Sequence, residues 1–369
     1  MQQRSTRPKA GPSCTLVELL VVLAFALGLM LPAPVESAEA GKVVVLDHLG
    51  AVTGSVLANP KARKLYVGRG HVPRQEEAGI WVHDIFKDGE VTATDERTCQ
   101  LPASEHAGNF VYVTGFALAR DGRKLYLGLA ASPNSEKRSV AVQDLDEKGE
   151  PTGAMRAHDV KIGFESPHLI AHPKLDCLYA WSERRDTFYA VSLAKGEPTG
   201  ESTTVSVKDG TVVGLMLSAD GGNLFAILSS GLLMVVRLDA NGMPEPNPAT
   251  FPIADAESVT SAARVGKTLF LVVKGGLLSQ PLNGDGEPVG KSSVQAVPGV
   301  YGVYTPADGT LCLVIDDNRG TTHLVRHQPD AKGQIGPAVF TSEALHGTID
   351  RLVLDDMTGT FYVALGPSF

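Results

Sequence analysis

The sequence predicts an all-β fold, a seven-bladed β-propeller of four-stranded antiparallel blades in which an N-terminal strand closes the last blade. Two observations predict it. The first is a unit written seven times, in which a short apolar run ends in a small-polar turn and a strand centred on Leu-Tyr or Leu-Phe follows. Ser218-Ala-Asp-Gly-Gly-Asn-Leu-Phe-Ala-Ile-Leu228 is its plainest copy. The second residues of the anchor pairs are Tyr66, Tyr126, Tyr179, Phe225, Phe270, Cys312 and Tyr362, spaced 42 to 60 residues apart. That is the period of a propeller blade, a unit that buries its faces only against its neighbours. The second observation is a Gly-rich turn after each third strand, as in Asp146-Glu-Lys-Gly-Glu-Pro-Thr-Gly153 and Ala194-Lys-Gly-Glu-Pro-Thr-Gly200.

The fourth repeat gives the plan of one blade. Val212–Leu217 is the innermost strand, A, and Asp220-Gly-Gly222 makes the tight turn that glycine permits. Leu224–Leu228 is strand B, Leu232–Leu238 strand C, and strand D begins near Pro246 and runs through Ile253. Each sheet packs on both faces, so its inner strands read as continuous apolar runs and not as alternating ones.

Closure follows from the ends of the repeat region. Lys42–Leu46 lines up with Thr204–Lys208, which makes it an outermost D strand that completes the last blade. Ile349–Leu354 and Thr360–Leu365 supply that blade's strands A and B, and no strand C remains. Three outcomes are open: a three-stranded final blade, an inward shift of residues 42–46 to pair with strand B, or a sequence that is a fragment.

Composition narrows the function. With 41 acidic against 33 basic residues the formal net charge is −8, and no Lys/Arg cluster of the kind that binds phosphate backbones occurs. Nucleic acid is therefore not an expected partner. Cys14, Cys99, Cys177 and Cys312 lie far apart, and the latter two fall in core strands, which suits buried hydrophobes better than a disulfide frame. No metal and no cofactor are expected. His323 and His327 sit four apart on a strand, a separation of about 13 Å, too wide for one ion. Asp316-Asp317 offers only part of a calcium cage. Nucleophile-elbow, P-loop and zincin motifs are absent from the sequence.

The first 40 residues read as an address. Arg4, Arg7 and Lys9 precede the apolar stretch Leu16–Val35, and Ala38-Glu-Ala40 follows. This is the pattern of a secretory signal cleaved near Ala40, or, uncleaved, of a membrane anchor. Export to a periplasmic or extracellular space is the expectation, with residues 41–369 as the propeller and any membrane contact made only through the uncleaved segment. Thr15-Leu-Val-Glu-Leu-Leu-Val-Val22 also resembles the start of type IV pilin-like precursors, with Ser13 and Cys14 where those keep Gly and Phe.

The turn Pro-x-Asp-Gly, the Leu-Tyr-Val strand and the Leu-Asp-x-x-Gly ending resemble the repeats of the YVTN and lactonase-like β-propeller family over nearly all of residues 42–369. Ser166-Pro-His-Leu-Ile-Ala-His-Pro173 is similar to a segment of the 6-phosphogluconolactonase-type members. There, polar residues of that segment lie near the site in the channel mouth, and the resemblance makes His168 the matching histidine. Pro167 stands where that family places Arg, and Trp181-Ser-Glu183 where it places Asn-Glu-Leu.

In a propeller the B–C loops and the D–A crossings open on one face around the channel. The candidate ligand-binding residues on that face are Arg69, His71, Glu105, His106, Arg184, Arg185, Arg319, Asp350 and Arg351. Charged loop tips are most often merely solvated; what singles these out is that the fold would aim them at one opening. Guanidinium groups gathered there would hold a small anion, since their fork matches a carboxylate or phosphate. His168 is the candidate catalytic residue, as a general base; a structural role, bonding the backbone of a neighbouring blade, is the reading favoured over it. The expectation is a binding or scaffold module, holding a small anionic ligand or a protein partner at the mouth. The alternative is a hydrolase of sugar lactones.

Overall fold

Leu224–Leu228, written as an unbroken apolar run, is fully buried on both faces of its sheet. Around it lie strand A (Val212–Leu217), strand C (Leu232–Arg237) and strand D (Ala249–Pro252), each antiparallel to its neighbour. This computed structural model describes residues 41–46, 53–69, 79–92, 98–101, 110–131, 139–160, 162, 168–182, 185–306, 308–317, 320–330, 332–355 and 357–366. The expected leader, residues 1–40, lies outside them. Among the described residues, five sheets follow the four-stranded A-B-C-D plan, and the sixth adds the short strand Leu345–His346 beside its strand C. The seven A strands are Thr53–Asn59, Phe110–Leu118, His168–Ala171, Val212–Leu217, Ser261–Val265, Val300–Tyr304 and Thr348–Asp355.

The ring is closed. Seven hydrophobic clusters occur among the described residues, one at each junction between successive blades. An open row of seven blades would bury only six such interfaces. The seventh joins Leu65, Val67 and Trp81 of the first blade to Tyr362 of the last.

In the last blade the N-terminal strand takes the inward position that the sequence leaves as one of three outcomes. Lys42–Val45 lies directly beside strand B (Thr360–Gly366), as the outer strand of a three-stranded sheet, and it runs parallel to that strand. The direction follows from connectivity. A strand that leads into the first A strand runs as every D strand does, opposite to C and therefore along B. Moved inward to the vacant C position, it has to pair in parallel. Its alternation then serves both neighbours, with Val44 and Leu46 packing towards the first blade and Val43 and Val45 towards the sixth.

The anchor residues tie each blade to the next. Tyr66, Tyr126 and Tyr179 donate their phenolic hydrogens to the carbonyls of Gly149, Gly196 and Gly242, at 2.9, 3.2 and 2.7 Å, each in the C–D turn of the following blade. Beside them run matched pairs. Lys64 meets Asp84 of its own blade and Glu150 of the next. Lys124 meets Asp144 at 2.8 Å and Glu197 at 2.6 Å. At the next junction both partners change together, and Cys177 Sγ faces Met243 Sδ at 3.9 Å. A second rule fixes the C strands. His83, Gln143, Gln280 and His327 each bond the carbonyl nine residues on, at Thr92, Thr152, Val289 and Gly336 (2.7 to 3.0 Å). His83 is thereby structural, as its place in a strand suggests. Cys99, Cys177 and Cys312 are free thiols, the last two fully buried.

Candidate functional site

Strand pairing aligns the seven A strands at one level of the channel. Two residues beyond each anchor, strand B pairs with Ser55, Gly115, His168, Gly214, Ser261, Gly302 and Arg351 of the neighbouring A strands. Five of the seven are Gly or Ser. The two large members, His168 and Arg351, are titratable or charged and belong to the third and seventh blades. In five blades the residue before this level is an extra one that shifts the register: Gly54, Thr114, Val213, Tyr301 and Asp350. Bulges of this kind re-aim the side chains that follow them.

His168 is held from its own blade. Its Cα partner on strand B is Trp181, and the two rings stack with centroids 4.9 Å apart and 30° between their planes. The imidazole is partly exposed at its surface yet sits deep among protein atoms. Burial pushes its pKa down to about 4, and the positive charge of Arg351 adds to that shift. Arg351 thus acts on His168 from a blade that is not its neighbour, so the ring brings the two to one place. The ring of His168 is a neutral imidazole near pH 7. The indole Nε1 of Trp181 is a buried donor with no hydrogen-bond partner among the described residues.

The other sequence-derived candidates divide. Arg69 ends strand B of the first blade, opposite Thr53 and Gly79, and Asp350 is the bulged residue beside Arg351. Arg185 is exposed, and its backbone fastens the B–C loop: its N–H donates to the Ser182 carbonyl at 3.1 Å and its own carbonyl accepts from Val212 at 3.0 Å. His71, Glu105, His106, Arg184 and Arg319 lie outside the described residues. Trp181 and the Gly/Ser level were missed from the sequence. Aligned anchors alone do not reveal that level, because the bulges insert one residue ahead of it in five blades.

The polar groups at this level could meet an anion. The level offers one guanidinium, one neutral imidazole and one unpaired indole N–H, with small residues elsewhere. A general base works best with a pKa near the operating pH, and an imidazole at about 4 is a weak one at neutrality. Among the described residues no group of three or more His, Cys, Asp or Glu has metal-ligand geometry.

No family model matches the sequence, and no curated protein sequence matches it. Solved structures do match, at identities that speak for the fold alone. The periplasmic gluconolactonase PpgL of Pseudomonas aeruginosa is 17% identical with a TM-score of 0.58, over 80% of this chain and 86% of that one. U3-55K is 12% identical with a TM-score of 0.57, over 86% and 89%. The β-propeller domain of Cps50 (Swd1) from Myceliophteria thermophila is 14% identical with a TM-score of 0.54, over 82% and 90%.

Proposed function

We propose that this chain is an exported binding or scaffold module that holds a small anionic ligand or an anionic group of a protein partner at the loop-bearing mouth of its channel. The observation that carries this reading is the single level that holds His168 and Arg351, near enough for the arginine's charge to act on the imidazole, among five Gly and Ser residues. Arg351 supplies the charge, Trp181 an unsatisfied donor, and His168 a neutral hydrogen-bonding ring. With a pKa of about 4, His168 is a weak base at neutrality, and this weighs against catalysis. Similarity to the WD40 repeats of RRP9 (12% identical, TM-score 0.57) agrees with a scaffold role, and the N-terminal address motif is the ground for export.

The second reading is a lactonase-like hydrolase with His168 as its working base. Similarity to a periplasmic gluconolactonase favours it. A panel of sugar lactones and sugar acids separates the two. The binding module takes up the acids without turning over the lactones, and Arg351→Met weakens that uptake at least tenfold. Lactone turnover that His168→Ala abolishes, with the circular dichroism spectrum intact, would replace the first reading by the second.

A further inference from the structure

One register position of the A strands breaks a rule that five other blades keep; in the sixth blade, strand A ends one residue short of it, at Tyr304. Facing the residue just before each anchor are Ala58, Leu118, Ala171, Leu217 and Leu354, all apolar, and in the fifth blade Arg264, paired with Leu269. This position lies at the opposite end of the channel from His168, where the A–B turns gather. A charge at a position that five sibling blades fill with Ala or Leu departs from the local pattern, and such departures concentrate at functional sites.

The surroundings of Arg264 specify what it awaits. Its Nε donates to the Gly266 carbonyl at 2.9 Å, and its guanidinium carbon lies 4.8 Å from the centre of the Phe225 ring. Among the described residues no carboxylate is within ion-pair distance; Asp220 attracts it only from further off. Half-burial of the guanidinium disfavours its charge. Beside it lies a surface pocket of about 460 Å³, open to solvent. Met216, Leu217, Ala262, Ala263, Val303 and Tyr304 form its walls, and none of its described lining residues is acidic. A concave apolar site of a few hundred Å³ with one oriented charge is the common form of a small-ligand pocket.

We propose that this turn-side pocket binds a carboxylate attached to an apolar body, with Arg264 pairing the carboxylate and the Met216–Tyr304 walls covering the body. Nε is committed to Gly266, so the two Nη nitrogens remain to meet the two oxygens. The cation over Phe225 is fixed in place before the ligand arrives, which lowers the ordering cost of binding. This site shares no residue with the His168 level and stands or falls apart from it.

Calorimetric titration of the purified full chain tests it. Octanoate and phenylacetate are compared with their neutral amides, and a hexapeptide ending in Phe is compared in free and amidated form. The acids bind at least tenfold tighter than the amides; the peptide arm shows whether a chain terminus or a free small acid is the better source. Arg264→Leu installs the residue of the second, fourth and seventh blades, so it keeps or raises the melting temperature while reducing the acid preference to under twofold. Ala262→Leu fills the pocket and weakens acid and amide together. Absence of binding by every probe, equal affinity for acid and amide, or an acid preference that survives in Arg264→Leu overturns the proposal. The comparison in the unaltered chain decides by itself should either variant fail to fold.

Discussion

Tyr362 donates its phenolic hydrogen to the carbonyl of Gly89 at 2.9 Å, across 273 positions of the chain. This is the bond that Tyr66, Tyr126 and Tyr179 make to the next blade, here returning from the last blade to the first. The neighbouring ion pair is reproduced with a change of donor. Where Lys64 and Lys124 stand, the last blade has Thr360, and Lys42 of the N-terminal strand, the Cα partner of Thr360, reaches Glu90 instead. Cys312 shows the converse. Its following blade has no C–D turn among the described residues, and the anchor there is not aromatic.

The ring-closing bond is therefore expected to be worth what an interior one is. Tyr362→Phe leaves a buried carbonyl unsatisfied and lowers stability by about 1 kcal/mol. Tyr126→Phe costs the same within about 0.5 kcal/mol. Gly89→Ala costs more, at least about 2 kcal/mol, because φ is +81° and a Cβ there would overlap the Thr360 hydroxyl. Urea unfolding midpoints measure all three; a Tyr362→Phe chain as stable as the unaltered one would mean that the seventh interface is not a blade interface.

The sulfur pair at the third junction occupies the place of an ion pair and is expected to behave as one unit. Cys177→Lys alone puts an ammonium against a thioether, and Met243→Glu alone puts a carboxylate against a fully buried thiol. Each single variant destabilises. The double variant recreates the arrangement of Lys124 and Glu197 and recovers about 1 to 3 kcal/mol of the summed loss. A double-mutant cycle with additive losses would show that the two positions are independent.

His168 gives a pH dependence of defined sign. Its folded pKa, about 4, lies below the 6.5 of an unperturbed imidazole, so between these values the unfolded chain binds a proton that the folded chain does not. Stability from this group is complete above pH 6.5, declines as the pH falls towards about 4, and levels off below. Its share is about 1 to 2 kcal/mol after allowance for screening by channel water. Removing the second cause moves the value back, so Arg351→Met raises the His168 pKa, read directly by NMR titration of the imidazole protons. An unchanged pKa would separate the two residues and dissolve the site.

The sequence by itself determined the repeat, the number of blades, the continuous apolar strands and the glycine turns. These are local matters, written in hydrophobic runs of five or six residues and in backbone positions that favour glycine. It also exposed the missing strand C. The sequence left open which neighbour Lys42–Val45 joins, because strand direction and partner are set by a sheet that forms only when residues some 300 positions apart meet. The candidate site was legible in part. His168 and Arg351 were named, but their shared level, the Trp181 stack and the five small residues there depend on the bulges that bring seven A strands into one register. Arg264 was unreadable for the same reason. It is an ordinary arginine in the chain, and an anomaly only once strand pairing assigns it the register position that five sibling blades fill with Ala or Leu.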